Sequence, residues 1–474
     1  MEKLPGDPRY PIFGTEYIFI GASSEELFNI ILKLTEKYAP AFRCWNGSLP
    51  EIVTMKPEHF EMIMSSSNHI TKGQNYNNFH DWLGQGLLTS SGNRWFRHRK
   101  LITPTFHFKI LENYMNVFVA KTEILLNILD RKADGAVHNI YSEITHCTLD
   151  IICESAMGVN INAMFNDDNE YVKCVYEISD IIFWKSLRPY IPLFIFNLFP
   201  SGRKLKKNLK ILHGFSEKVI SDRKKLLKDK QDNKSHNNVI EEEVLGLRKR
   251  LSFLDLLIEA SEDGKVLNDI DIRQEVDTFM FEGHDTTSAS LSWTLLLLGN
   301  HPDIQERVFE EVRNVLHDKL TPTSINELNE FKYLERVIKE SLRLYPSVPA
   351  IIRHTKEEIQ IDEYKIPPNV DVVLLIYCVH RDPKVYPNPE KFDPDRFLPE
   401  NCVNRHPYAY VPFSAGSRNC VGQKFALYEE KTILASIINR YKVTAAKRME
   451  DIQANVDLIL RPKRGVLLAF ERRS

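Results

Sequence analysis

No run of about 18 apolar residues occurs in the 474-residue chain, so no segment reads as a membrane-spanning helix. Net charge is also scarce. Lys and Arg number 62 against 64 Asp and Glu, leaving −2 and no global basic field to recruit nucleic acid. The seven cysteines include no C-x-x-C pair, and their number is odd. That argues against a disulfide framework and a zinc site, and it fits a reducing compartment. Internal repeats and long low-complexity tracts are missing. The opening MEKLPGDPRYPIFG holds three prolines and no apolar h-region, so it does not read as a signal peptide.

What is present is ordinary in bulk: 43% apolar and 27% charged residues, enough to build a large core. Length alone admits about three average domains. Residues 228–250, with KDKQDNKSHNN, EEE and RKR, read as a solvated surface connection, the alternative being a domain boundary. Helical periodicity dominates residues 23–344. Strand-like alternation is concentrated in 359–377, with Pro367 and Pro368 marking a turn. The proline-rich stretch 380–397 reads as an ordered, irregular meander. The expected class is mostly α with a small β-sheet region.

Residues 413–422 read FSAGSRNCVG, directly before a helical pattern through Phe425, Leu427, Ile433, Leu434 and Ile437. Cys420 thus sits before a helix N-terminus, whose free N–H groups and dipole favour a thiolate and predict a lowered pKa. Gly416 and Gly422 permit a tight turn and the close approach of a flat partner. A thiolate held by amides beside an open face suits axial ligation of haem iron. The alternative is a buried structural cysteine. The stretch matches F-x-x-G-x-R-x-C-x-G, and the chain resembles the cytochrome P450 family in Phe413, Gly416, Arg418, Cys420 and Gly422.

Further elements bear on that resemblance. Residues 271–298 read as one helix of roughly 42 Å, with Asp271 and Gln274 as a capping box and Gly299 and Pro302 marking its end. Glu282, Asp285 and Thr286 share one of its faces. They resemble the oxygen-activating helix of the monooxygenases, which implies Asp285 and Thr286 as the catalytic proton relay. The alternative for Thr286 is back-bonding to the carbonyl four residues earlier. Glu282 within this string resembles family 4, where this acid can be esterified to a haem methyl; the alternative is an ordinary satisfied acid.

Trp95 and Arg99, at i and i+4, offer donors without acceptors and suit an anion, or else a cation–π stack. The resemblance assigns them, with Arg353 and Arg418, to haem propionates. Glu340 and Arg343 form E-x-x-R, to which the resemblance adds Arg396 as the third member of a structural triad. Uncharged residues 189–202, followed by RKLKK, suit either shallow membrane insertion or a buried helix pair.

The resemblance implies a cytochrome P450 fold, with a long central helix over haem b (iron protoporphyrin IX) and the Cys420 loop beneath as axial iron ligand. Residues 1–14 would be a proline-rich hinge following a membrane anchor missing from this chain, and 15–474 a single catalytic domain. The implied reaction inserts one atom of dioxygen into an unactivated C–H bond, by ω-hydroxylation of fatty acids or related lipids; an insect-type member of family 4 fits. Electrons would come from NADPH through a cytochrome reductase, with cytochrome b5 as a further partner and Lys424 and Lys431 as candidate docking residues. The implied location is the cytosolic face of the endoplasmic reticulum membrane. Rival readings are xenobiotic or hormone oxidation, a haem-thiolate isomerase that does not use dioxygen, and a non-catalytic haem carrier.

Overall fold

The structure is a computed structural model that describes residues 1–166, 169–234, 252–262 and 267–473. Helix α1 (Ser24–Tyr38) starts from a capping box, in which the Ser23 hydroxyl accepts from the Glu26 N–H and the Glu26 carboxylate accepts from the Ser23 N–H. The chain then forms an antiparallel hairpin, β1 (Ala41–Asn46) and β2 (Leu49–Thr54), which corrects the helical reading of this stretch. The two-residue turn Gly47-Ser48, with Gly47 at φ +61° in the first position, overrides the surrounding helical pattern. Residues 4–14 lie along this hairpin: Leu4 is buried, the Arg43 N–H donates to the Pro5 carbonyl, and Gly14 bridges Asn46.

Helices α2 (Gly92–Ile102), α3 (Phe108–Asp130), α4 (Tyr141–Ser155), α5 (Glu170–Ser186) and α6 (Pro200–Lys234) follow. Residues 228–234, expected as surface connection, belong to α6; residues 235–250 lie outside the described residues.

Helix α7 (Asp269–Asn300) is the central element. Its cap is Asn268, which exchanges hydrogen bonds with Asp271, so the start lies before the expected Asp271–Gln274 box. Gly299 is not its terminator. A Cβ there would sit 2.7 Å from the Ala445 nitrogen, so the glycine serves close packing instead. Nearly every α7 residue from Ile272 to Leu298 is buried, as expected of a helix packed on all sides. Gly283 lets it approach α4, since a Cβ would lie 2.7 Å from Ile152 Cγ1. Trp293, fully buried, stacks on Tyr345 at 3.9 Å.

After α8 (Lys332–Leu344) come β3 (Ile351–Thr355) and β4 (Val370–Leu374), which join the first hairpin in the order β1-β2-β4-β3. The β2–β4 pairing is parallel and β3–β4 antiparallel. The alternation at 359–377 holds as the hairpin Ile359–Ile361 with Tyr364–Ile366 and as β4, but a helical turn, Ile376–Val379, ends it. The meander is irregular, as expected. Helix α9 (Gln423–Arg440) follows the cysteine loop, and the short strands β5 (Ala454–Val456) and β6 (Leu460–Pro462) bring a late hairpin back to α7. There the Trp293 indole N–H donates to the Leu460 carbonyl. The result is mostly helix with small sheets.

Candidate active site

The cysteine loop closes on itself: the Cys420 N–H donates to the Phe413 carbonyl at 2.8 Å. Gly416, at φ +68°, is obligatory, because a Cβ would fall 1.9 Å from the Met64 carbonyl oxygen. At Gly422, the residue before α9, a Cβ would have ordinary room, 4.0 Å from Cys420 Sγ. The Cys420 side chain is open, but its open face looks into the protein interior. Burial, then the Glu282 charge, push its thiol up to about 12, against the opposing effects of the Gly422 N–H and Arg99. The expected lowering is therefore corrected. Desolvation outweighs the helix terminus, whereas a coordinating thiol is deprotonated outright.

Four cations surround this interior face: Lys72, Arg99, Arg353 and Arg418. None forms an ion pair among the described residues. Arg99 donates to the Asn419 carbonyl and side chain, Arg353 to the Ile352 carbonyl, and Arg418 to the carbonyls of Ile70, Leu87 and Ser90. Arg418 also lies 4.8 Å from the ring of buried Trp95, so Trp95 stacks on a cation other than Arg99. A backbone bridge joins Lys72 to Arg353. Burial, and then the Arg353 charge, lower Arg418 to about 9, and the same causes push Lys72 well below its ordinary range. Buried cations without counter-charges are expensive. The arrangement fits a group carrying two carboxylates.

On α7, Glu282 and Thr286 line the adjoining cavity. The Thr286 hydroxyl donates to the Glu282 carbonyl at 2.7 Å, which is the back-bonded arrangement, leaving its lone pairs as acceptors. The Thr286 carbonyl accepts from the Ser347 hydroxyl at 2.8 Å. Burial raises the Glu282 carboxyl to about 7, offset in part by Lys72. Asp285 turns elsewhere. Fully buried, it takes two bonds from the Arg461 guanidinium, one at 3.2 Å, and Arg461 also holds Asp457. Asp457 in turn lines the cavity. The space measures about 320 Å³ and is walled largely by apolar side chains, among them Phe79, Leu88, Phe183, Phe281, Val348 and Ile352.

The family model for Cytochrome P450 matches residues 4–469. The chain belongs to the cytochrome P450 family. Cytochrome P450 4c3 of Drosophila melanogaster is 44% identical over 474 residues, which cover 98% of this chain and 88% of the relative. Cytochrome P450 4V2 of Homo sapiens is 42% identical over 479 residues, covering 100% and 90%. Cytochrome P450 4c21 of Blattella germanica is 41% identical over 475 residues, covering 100% and 94%. This P450 is a reductase-dependent monooxygenase with relatives in family 4, and its open thiol and unpaired cations fit haem.

Behind the P450 cysteine loop, the triad assembles. Arg343 donates to both Glu340 oxygens at 2.7 and 2.8 Å, and Arg396 Nε lies 3.3 Å from Glu340. Arg343 also donates to the carbonyls of His380 and Lys391, tying α8 to the meander. Lys431, a candidate docking residue, is instead buried and bonded to Glu335 and the Leu328 carbonyl, while Lys424 is exposed. In the 189–202 stretch, Phe196 is buried while Leu193, Phe194, Leu198 and Phe199 are exposed. Tyr190 packs 4.9 Å from Phe13, near exposed Tyr10 and Ile12. Sequence reasoning missed Lys72, Asp457 and Arg461. Lys72 lies in no motif, and Arg461 stands 176 residues from the aspartate it holds.

Proposed function

We propose that this P450 hydroxylates the terminal carbon of fatty acids or related long-chain lipids. The observation that carries the reading is the largely apolar cavity that opens onto Glu282 and Thr286 of α7. When bound, haem supplies the reduction of dioxygen and the insertion of one oxygen atom into a C–H bond, the other atom leaving as water. Cys420 Sγ would hold the iron. Arg99, Arg353, Arg418 and the Trp95 indole would hold the propionates, with Phe413, Gly416 and Gly422 shaping the loop beneath. Arginine suits that task because its fork pairs with a carboxylate.

Thr286 Oγ1 would accept a hydrogen bond from a proton-bearing oxygen in the cavity while its own hydroxyl continues to donate to the Glu282 carbonyl. Asp285 would feed protons toward it when its pairing with Arg461 loosens, and apolar walls keep bulk water out. Glu282 would be the site of an ester to a haem methyl, stiffening the pocket against in-chain attack. Intact-mass spectrometry of acid-denatured holoprotein should show the haem adduct; haem that leaves freely removes the ester.

Residues 1–14 would be the hinge to a membrane anchor, with 15–474 the catalytic domain. The exposed apolar side chains near Phe194 and Ile12 would rest on the cytosolic face of the endoplasmic reticulum membrane, though no described helix is long and apolar enough to cross one. Electrons would arrive from NADPH through a cytochrome reductase, assisted by cytochrome b5. The test is product analysis after reconstitution with reductase, NADPH and a ladder of saturated fatty acids. Chiefly ω-alcohol is expected. Spectrally competent haem with no lipid product would move the substrate to hormones, hydrocarbons or foreign compounds.

A further inference from the structure

The cavity has a second polar wall, made by elements other than α7. Glu16, Asn46, Glu51 and Asn75 line it, from the first residues, the β1–β2 hairpin and the segment before α2. Their donors are consumed internally. Asn46 Nδ2 donates to Asn75 Oδ1 at 2.8 Å, to Glu51 Oε1 at 3.3 Å and to the Ser186 carbonyl, and Asn75 Nδ2 donates to Glu51 Oε1. None of these bonds reaches Glu282, Thr286 or Cys420. Two acceptors are left over. Glu16 Oε2 and Asn46 Oδ1 are buried with no hydrogen-bond partner among the described residues, on side chains of residues that are 5% and 3% exposed. An orphaned acceptor in a cavity wall calls for a ligand that brings a donor.

Charge narrows the class. Burial, then the Glu51 charge, raise the Glu16 carboxyl to about 10, so it is neutral at pH 7 and both gives and takes a hydrogen bond. The wall that keeps Glu16 protonated would resist a ligand carboxylate for the same reason. Arg188 is the cation acting on Glu16, and its guanidinium already donates to the carbonyls of Trp184 and Phe19. Arg43 also borders the cavity, but alternation along β1 puts it on the face opposite Cys44 and Asn46, against Glu2 and the Asp7 carbonyl. Cys44, paired in register with Glu51, stays on the acid side.

We infer that Glu16, Asn46 and Glu51 form a head-group site for a neutral, hydrogen-bond-donating lipid, a long-chain alcohol or primary amide, in preference to a free carboxylate. The inference rests on the terminal-hydroxylation reading, with the methyl end toward Thr286 and the head group on the acid wall. A hydroxyl donates to Asn46 Oδ1 or Glu16 and accepts from the neutral Glu16 carboxyl, and a primary amide brings two donors for the two orphaned acceptors.

The test uses the full haem-loaded chain and the spin-state change of its haem absorbance on titration with 1-dodecanol, dodecanamide, dodecanoate and n-dodecane. The alcohol and amide should bind about tenfold more tightly than dodecanoate. Glu16→Leu should cost about tenfold for alcohol and amide while leaving n-dodecane unchanged, and Glu16→Gln, which keeps an acceptor, should restore most of the loss. Glu16→Leu breaks no hydrogen bond among the described residues, so folding should survive. If dodecanoate binds tightest and Arg43→Leu weakens it, the wall is a carboxylate site and the inference fails. If Glu16→Leu changes nothing, water alone satisfies these acceptors and it fails as well. Product analysis reports on the terminal reading separately: in-chain alcohols with the head-group preference intact would sink that reading alone.

Discussion

The meander behind the cysteine loop and the cavity in front of α7 both bury carboxylates, and they treat them in opposite ways. Glu340 has no exposed surface, yet it receives two bonds from Arg343, the Asp393 N–H at 2.9 Å and the nearby Arg396. Glu16 and Glu282 face the cavity with no side-chain hydrogen bond among the described residues, and their carboxyls are pushed up to about 10 and 7; Glu51, held by the Asn46 and Asn75 amides, is pushed up by burial and the Asp371 charge to about 7 as well. The Lys72, Arg353 and Arg418 cluster mirrors them with unpaired positive charge. A polar group whose partners are all protein atoms is scaffold. One left wanting at a cavity wall can take a donor from a ligand.

The contrast can be broken most forcefully at Arg343. Arg343→Ala strands Glu340 and frees the His380 and Lys391 carbonyls, a loss of about 3–5 kcal/mol for a buried pair. Expression should yield little haem-loaded protein, and normal haem incorporation would show that the meander stands without the triad. Arg461→Ala is expected to come next, since Asp285 and Asp457 would both be left buried without their cation. The thermal midpoint should fall by several degrees, and an unchanged midpoint would show the pairing to be dispensable for the fold.

On the cavity side, effects should fall on function before stability. Thr286→Ala removes one back-bonded hydroxyl, so stability should shift by no more than about 1 kcal/mol. Oxygen consumption should uncouple from product, with peroxide released, and intact coupling would take Thr286 out of the mechanism. The smallest expected effect is a slope. Burial, then the Asp371 charge, raise Glu51 from its ordinary 4.5 to about 7. Between those values the native state holds a proton that the unfolded chain releases, so stability falls as pH rises through that window. Glu51→Gln should flatten this part of the stability curve in urea titrations, and an unaltered slope would show that Glu51 titrates alike in both states.

The readable parts were those encoded by local spacing. The cysteine loop, the E-x-x-R pair and the EGHDTT face are each set within ten residues or fewer of chain, where backbone geometry dictates which side chains share a turn or a face. The Gly47-Ser48 turn of the first hairpin is equally local, but the surrounding helical periodicity masks it. The cap of α7 was displaced because Asn268 outcompetes Asp271 as the first acceptor.

Sequence alone determined the class of catalyst. That class follows from the resemblance carried by the cysteine loop and by the Glu282, Asp285 and Thr286 string, motifs that are local and need no partner from elsewhere. Only the tertiary structure decided which charges those groups feel. It raised the Cys420 thiol instead of lowering it, turned Asp285 onto Arg461, buried Lys431, and set Glu16 beside Glu51 across 35 residues of chain. Desolvation and pairing depend on what packs alongside, and that neighbourhood is assembled from distant segments that no local pattern records.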